Sequence, residues 1–294
     1  MNKLIGNRPT PLDFAREITF RGINSLTSIS CRQFSASLLY KLITCANLII
    51  KILNAIGLNI KFINWPFNDQ MMIVKLKNII YNFYLARKSD SNVYLNPYFH
   101  EHDVVSFVIN NLKEGDVFID IGAHCGLYTI VASKRVGIEG MVVSVEPNPE
   151  NVRYLIRNIK INDLKNVIII AKALGQRKER IKMFYHPGAT ALTSVKERGH
   201  FKWFRVDQVT LDDIVEELKL GHIKMIKIDT EGYDEHVLRG GGSALQKTDY
   251  VIVELNTNNV RELLLRKGFD LYMLHPSRYI LAIKRRMKIN ESQS

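Results

Sequence analysis

The 294-residue sequence is poor in cysteine and lacks a long uncharged apolar segment. Its three cysteines are far apart and form no CxxC pair, which argues against a disulfide scaffold and a cysteine-based zinc site and fits a reducing compartment. Charged residues interrupt every apolar stretch of the first third, so no transmembrane helix of about 18 or more apolar residues is predicted. No secretory signal is expected either, because no continuous apolar stretch follows the first basic residues. We therefore expect a cytoplasmic protein.

Acidic residues are outnumbered: there are 41 Lys and Arg against 29 Asp and Glu, which gives a formal net charge of +12. This sign favours anionic partners such as nucleic acid, an acidic glycan or a membrane surface, although solubility alone also accounts for it. Hydrophobic residues make up 46% of the chain and charged residues 24%, which is typical of a globular protein and excludes extensive disorder.

The chain divides into four predicted parts by composition. Residues 1–65 form an apolar helical extension, 66–115 contain a strand pair and a helix, 116–288 form the main domain, and 289–294 are a tail. The helix predicted over 36–65 is apolar nearly all round and must be covered. We interpret it as a cap on the main domain; the alternative is peripheral membrane contact, with its lysines reaching water.

The main domain alternates short apolar strands with amphipathic helices. Near-continuous apolar strands of this kind predict a parallel sheet in an α/β fold, with helices on both faces. The segment RIKMFYH and the segment HFKWFR with the residues after it predict a second strand pair. The latter is either an amphipathic strand or a platform for stacking a sugar.

The segment DVFIDIGAHCG indicates a ligand site at the end of the first of these strands. Asp120 ends the strand, and Gly122 and Gly126 bracket a turn that opens a helix. Glycine permits positive φ and close approach of a ligand, and ligands of open parallel sheets bind beyond the carboxyl ends of the strands. Asp120 is therefore placed to accept a hydrogen bond from a cationic or hydroxyl group.

The next strand ends in Glu146, and a carboxylate at that place can accept both hydroxyls of a ribose. The turn has GxxxG spacing instead of the GxGxxG that cradles a pyrophosphate, and an acid before it would repel phosphate. Both features favour S-adenosylmethionine over NAD.

A second acidic segment, IKMIKIDTEGYDEHVLRG, places Lys227 inside a buried strand and Asp229 at its end. Strand alternation puts these two side chains on one side. A buried lysine is costly unless paired, so Lys227 either neutralises a neighbouring carboxylate or faces the ligand crevice. We predict Asp229 as the general base of the reaction, with Glu231 or Lys227 assisting orientation.

Five motifs, in order, closely resemble the FkbM family of S-adenosylmethionine-dependent methyltransferases: GDVFIDIGAHCGLYTIVAS, VEPNPENVRYLIRNIKIND, AKALG, VTLDDIV and IKIDTEGYDEHVLRG. The resemblance runs from about Met71 to about Lys284. It implies a Rossmann-like class I methyltransferase fold, whose seven-stranded sheet has its last strand antiparallel. It also implies that Glu146 holds the ribose and that Ala173 and Leu174 lie near the adenine. The cofactor-binding residues predicted in total are Asp120, Gly122, Ala123, His124, Gly126, Glu146, Asn148, Ala173 and Leu174.

The resemblance further implies O-methylation of a glycan, a sugar or a small-molecule metabolite. A nucleic-acid methyltransferase is an alternative suggested by the charge, but IDTEGYD does not match the Pro-Pro-aromatic signature of base amino-group methylation, and no nucleic acid is expected as partner. A cofactor-binding or membrane-surface protein without turnover is a third alternative. No metal is predicted, since His100-Glu101-His102 offers only two ligands on one side.

Overall fold

The computed structural model describes residues 70–76, 79–85, 101–186, 189–196, 201–254, 257–275 and 279–285. The predicted N-terminal extension, its membrane interpretation and the predicted tail lie outside these ranges, and the four-part division of the chain stays a prediction. Within the described ranges, no helix combines the length and the apolar character needed to cross a membrane.

The described elements follow one another as β1 (Gln70–Leu76), β2 (Ile79–Leu85), α1 (His102–Asn111), β3 (Val117–Ile121), α2 (Leu127–Val136), β4 (Met141–Val145), α3 (Pro149–Ile161), β5 (Val167–Ile170), β6 (Ala173–Leu174), β7 (Glu179–His186), β8 (Ala189–Ser194), β9 (Lys202–Val209), α4 (Leu211–Glu217), β10 (Ile223–Ile228), α5 (Asp234–Arg239), α6 (Gly242–Gln246), β11 (Thr248–Glu254), α7 (Asn258–Arg266), β12 (Phe269–His275) and β13 (Tyr279–Lys284).

Seven of these strands form the central sheet, in the order β12-β13-β11-β10-β3-β4-β5. Neighbouring strands from β11 to β5 pair in parallel, whereas β13 pairs antiparallel with both β11 and β12. The predicted seven-stranded sheet with its last strand antiparallel is confirmed. Strand β13 lies between β11 and the edge strand β12, so the final hairpin folds back into the sheet.

Two hydrophobic cores cover the two faces of this sheet, as predicted. Residues of α1 and α2 pack on one face with Phe118, whereas residues of α4 to α7 pack on the other with Ile119 and Ile121. This alternation along β3 follows from the period of two in a strand. The same alternation places the polar side chains of Asp120 on β3, Ser144 on β4 and Lys227 on β10 on the face of the sheet that α1 and α2 cover.

The predicted second strand pair is part of a larger sheet. Strands β7 and β9 pair antiparallel as expected, within a four-stranded sheet of order β6-β9-β7-β8. Strand β8 was not predicted, because its residues ATALTS are small or polar and show no apolar alternation. The exposed ring of Trp203 on β9 is contacted by the Lys182 ammonium, 4.7 Å from its centroid.

Candidate active site

A pocket that is open to solvent lies beyond the carboxyl ends of β3, β4 and β10. Seven of the predicted site residues line it: Gly122, His124, Glu146, Ala173, Leu174, Asp229 and Glu231. The remaining predicted residues do not line it: Asp120, Ala123, Gly126, Asn148 and Lys227. The three strand ends therefore meet where the sequence predicted a ligand crevice, and the roles of individual residues stay predictions.

The turn after β3 is clamped between the neighbouring strands. Gly122 has φ +78°, its N–H donates to the Val145 carbonyl at 2.9 Å, and a Cβ there would lie 1.9 Å from the Asp229 carbonyl oxygen. No side chain fits at that distance. Gly126, with φ +94°, begins α2 and would clash with Leu155 if it carried a side chain. Positive φ favours glycine at both positions, and at Gly122 the close approach of the Asp229 backbone excludes a side chain as well.

Glu146 is held in place by three donors. Its Oε2 accepts from the backbone N–H of His124 at 2.8 Å, and its Oε1 accepts from the backbone N–H of Asn148 at 2.9 Å and from Asn151 Nδ2 at 3.1 Å. Burial raises the pKa of Glu146 to about 7, against the opposing effect of these hydrogen bonds. A ligand that donates hydrogen bonds to this carboxylate would favour its ionised form.

The start of helix α3 supports this arrangement. Asn148 is the N-cap and its side chain accepts from the backbone N–H of Glu150 at 2.9 Å, with Pro149 at the first helical position. The Asn148 side-chain amide also donates to Thr193 Oγ1 at 3.0 Å, which ties the helix start to the small sheet. Asn148 therefore acts on the pocket through the position of Glu146.

Asp120 lies behind the pocket. It is 1% exposed, and its Oδ2 accepts from the Thr129 hydroxyl at 2.7 Å. Its Oδ1 is buried and has no hydrogen-bond partner among the described residues. Burial raises the pKa of Asp120, an effect that Lys227 opposes. The structure thus shows Asp120 bonded into the core beneath the turn, and its predicted ligand contact stays a prediction.

Lys227 and Asp229 form a buried ion pair. Lys227 Nζ lies 3.0 Å from Asp229 Oδ2, and the two side chains are 3% and 20% exposed. Burial alone would lower the pKa of Lys227, but the carboxylates of Asp229, Glu101 and Asp120 outweigh burial and raise it to about 12. Of the two sequence interpretations of Lys227, the structure shows the neutralising contact. Of the two residues of the ion pair, Asp229 is the one that lines the pocket.

Glu101 and Tyr279 join this ion pair and were not predicted as site residues. The Tyr279 hydroxyl lies 2.9 Å from Asp229 Oδ2 and 2.8 Å from Glu101 Oε1. The Tyr128 hydroxyl donates to Glu101 Oε2 at 2.5 Å.

No metal-binding cluster of three or more ligands occurs in the described part of the chain. The sequence offers one signal for Glu101: it is an acidic residue directly before an apolar helix. It was interpreted only as a possible metal ligand.

The loop after β10 is held by hydrogen bonds from Thr230, near its beginning, to Asp234, at the start of α5. The Thr230 backbone N–H and its hydroxyl both donate to Asp234 Oδ1 at 3.0 Å. Between them Glu231 adopts φ +53° and lines the pocket, as does Tyr233. The loop thus presents Asp229 and Glu231 to the same cavity, while Asp234 closes the turn.

The other wall of the pocket comes from the small sheet and is apolar. Ala173 and Leu174 of β6 line it together with Ile181 and Met183 of β7. Because side chains alternate along β7, Lys182 points away from this wall, and so does Trp203, which pairs with Phe184 two residues further on. The aromatic and basic segment around Trp203 therefore does not form a wall of the pocket.

The residues present fit S-adenosylmethionine. The apolar wall suits a flat base, the Glu146 carboxylate suits a ribose diol, and the acidic side chains suit an ammonium and a sulfonium. The turn offers no bare glycine cradle for a pyrophosphate, because His124 and Cys125 stand between its glycines. The chemistry of these groups agrees with the cofactor that the sequence predicted.

Comparisons with known proteins give one family. The family model described as the methyltransferase FkbM domain matches residues 120–271. Hexuronic acid methyltransferase AglP of Haloferax volcanii is 25% identical over 156 residues, which cover 53% of this chain and 62% of that relative. The chain thus spans less than two thirds of the length of this relative. Protein-L-isoaspartate O-methyltransferase 1 of Archaeoglobus fulgidus is 38% identical over 60 residues, 20% of this chain and 28% of that relative.

Solved structures similar to this chain include methyltransferase FkbM from Methylobacillus flagellatus KT. Its sequence identity is 14% and its TM-score 0.39, with 66% of this chain and 53% of that chain covered.

Proposed function

Because the chain belongs to the FkbM methyltransferase family, we propose that it transfers a methyl group from S-adenosylmethionine to a hydroxyl oxygen of a sugar or another small-molecule acceptor. The observation that carries this proposal is the meeting of three strand ends in one pocket, where Gly122, Glu146 and Asp229 lie together. When bound, S-adenosylmethionine supplies an activated methyl group on a sulfonium.

The chain's own residues bind and orient the donor in this proposal. Glu146 accepts a hydrogen bond from the ribose at Oε2, because three N–H donors already hold the carboxylate and two of them occupy Oε1. Leu174, Ile181 and Met183 cover the base and exclude water from it. Methyl transfer is a displacement in line, so alignment of the acceptor oxygen with the methyl carbon is the main contribution of the protein.

Asp229 is the proposed base. An alcohol loses its proton during the attack, and a positioned base contributes about 10²- to 10⁴-fold to such a step. Its Oδ2 is engaged by Lys227 and Tyr279, so Oδ1 is the oxygen available to the acceptor.

The charge of the pocket favours a neutral hydroxyl at the reaction point. Three carboxylic side chains line the pocket, those of Glu146, Asp229 and Glu231, against one lysine, Lys172. Carboxylates repel a phosphate or carboxylate brought within a few ångström of them. The chain as a whole has a positive net charge, but the lining of the pocket is acidic. This difference argues against a negatively charged group as the group that is methylated.

Two measurements test the proposal. Calorimetry with S-adenosylhomocysteine should detect binding to the unmodified chain and a loss of at least about tenfold in affinity for E146A. E150A is the matched control, because Glu150 follows in the first turn of α3 outside the pocket lining and should leave affinity unchanged. Unaltered binding by E146A would remove the ribose role.

The acceptor is sought by release of S-adenosylhomocysteine with neutral oligosaccharides, hexuronate-bearing oligosaccharides and RNA. The name of the Haloferax volcanii relative is the reason for including the hexuronate-bearing sugars, whereas the acidic pocket favours the neutral oligosaccharides. A methyl ether resists mild alkali and a methyl ester does not, so alkaline treatment of the product separates hydroxyl from carboxylate transfer. D229N should lose at least about 10²-fold in turnover with cofactor affinity intact. An ester product would contradict the proposed hydroxyl acceptor, and methylation of RNA would contradict a sugar or small-molecule acceptor.

A further inference from the structure

A short line of hydrogen bonds leads from Asp229 into the core. It passes through the Tyr279 hydroxyl, 2.9 Å from Asp229 Oδ2, to Glu101 Oε1 at 2.8 Å. Glu101 and Tyr279 are buried, with 7% and 0% of their surface exposed. The carboxyl that faces the pocket is therefore linked to a second carboxyl that does not.

A tyrosine hydroxyl carries one hydrogen, so Tyr279 can donate to Asp229 or to Glu101 but not to both at once. Among the described residues, the groups that face this pair include Lys227 on β10, Asp120 on β3 and Tyr128 on α2. Burial opposes the charge of Lys227, yet the surrounding carboxylates hold its pKa at about 12, so it stays a cation while the carboxyls titrate. Burial and the neighbouring Glu101 raise the pKa of Tyr128 well above its usual range, so it stays a donor.

We propose that Tyr279 couples the two carboxyls, and that Glu101 is a positioning residue which accepts the hydrogen bond of Tyr279 when Asp229 takes up the proton of the acceptor. This inference rests on the proposed function, in which Asp229 is the base. As the acceptor oxygen bonds to the methyl carbon and the C–S electron pair returns to sulfur, the hydroxyl proton moves to Asp229. The hydrogen of Tyr279 then turns from Asp229 Oδ2 to Glu101 Oε1, and no other bond to hydrogen breaks.

Two substitutions move this equilibrium in opposite directions. E101Q keeps the shape of the side chain and removes a negative charge near Asp229, so Asp229 should take up its proton at a pH lower by about one unit. Y279F removes a donor to ionised Asp229, so proton uptake should occur at a pH higher by about one unit. Opposite shifts would also follow if the two residues acted independently, so the double variant E101Q/Y279F tests the coupling. If Tyr279 transmits the effect of Glu101, the midpoint of the double variant should match that of Y279F instead of the sum of the two shifts.

The test is a pH titration by ¹³C NMR of the full chain, with aspartate labelled at its side-chain carboxyl and neither cofactor nor acceptor added. The signal that is missing in D229N identifies Asp229. Y250F is the matched control, because Tyr250 lies on the neighbouring strand β11 and its hydroxyl is not part of this line of bonds.

Opposite shifts in E101Q and Y279F, a midpoint of E101Q/Y279F that matches that of Y279F, and no shift in Y250F support the coupling, whereas shifts that add in the double variant overturn it. Midpoints that agree within about 0.3 pH unit in all variants, or that move in one direction, overturn it. If thermal unfolding shows that Y279F does not fold, an unchanged midpoint in E101Q still overturns the coupling. Full turnover in D229N would remove the proposed base without changing this titration, so the two failures are separable.

Discussion

The Glu146 carboxyl should make cofactor binding depend on pH near neutrality. Burial raises its pKa from the ordinary 4.5 to about 7, so the ionised fraction rises from about one tenth at pH 6 to about nine tenths at pH 8. The ribose hydroxyls donate to the ionised form. We therefore expect the affinity for S-adenosylhomocysteine to increase up to about tenfold from pH 6 to pH 8.

The same shift predicts the pH dependence of folding. A carboxyl whose pKa is higher in the folded chain holds its proton there after the unfolded chain has lost it. The free energy of unfolding should therefore fall as pH rises from 4.5 to about 7, by about 3 kcal/mol in total for Glu146. E146Q should remove this contribution to the slope and should bind weakly at every pH.

Calorimetry at pH 6, 7 and 8 measures the first effect, and urea unfolding over the same range and down to pH 4.5 measures the second. Adenosine is the control ligand, because it keeps the ribose but has no amino-acid group, so its affinity should show the same dependence. An affinity for adenosine that is independent of pH in the unmodified chain would refute the assignment of Glu146 to the ribose. An unchanged slope of stability against pH in E146Q would refute the raised pKa.

Two further predictions concern stability. G122A should lower the free energy of unfolding, measured in urea, by about 3 kcal/mol, because its Cβ would meet the Asp229 carbonyl oxygen at 1.9 Å and φ is positive. G221A is the control, because nothing lies within 4 Å of a Cβ there. Equal losses in the two variants would contradict the close packing of the turn against Asp229. K227M should cost about 3 to 5 kcal/mol because it leaves Asp229 without its buried cation, whereas K224M, at a more exposed pair, should cost about 1 kcal/mol or less. Similar effects of the two lysine substitutions would show that the Lys227 pair is not the stronger one.

Features that depend on neighbours in the chain could be predicted from the sequence. The glycine turn after β3, the Asn148 cap and the Thr210–Asp213 capping box at the start of α4 are all local, and the structure has each of them. The order of strands and helices follows from apolar periodicity, which is also local. The polar β8 shows the limit of this method, since it is a strand by its pairing and not by its composition.

The contacts around Asp229 could not be predicted in the same way. Strand alternation placed Lys227 and Asp229 on one side, but it could not indicate that Asp120 bonds to Thr129 in the core instead of lining the pocket. That outcome depends on which helix covers the face of β3, and the packing of α2 decides it.

The sequence by itself determined which segments are strands, which turn carries the glycines and which acids end the strands, because these properties are written in residues a few positions apart. Only the tertiary structure decided that Glu101 and Tyr279, 178 positions apart, meet at Asp229. The physical reason is the insertion of β13 beside β11, which brings the last strand and the residue before α1 to the same buried face. The position of β13 depends on the free energy of burial summed over the whole sheet, so no local sequence pattern predicts it.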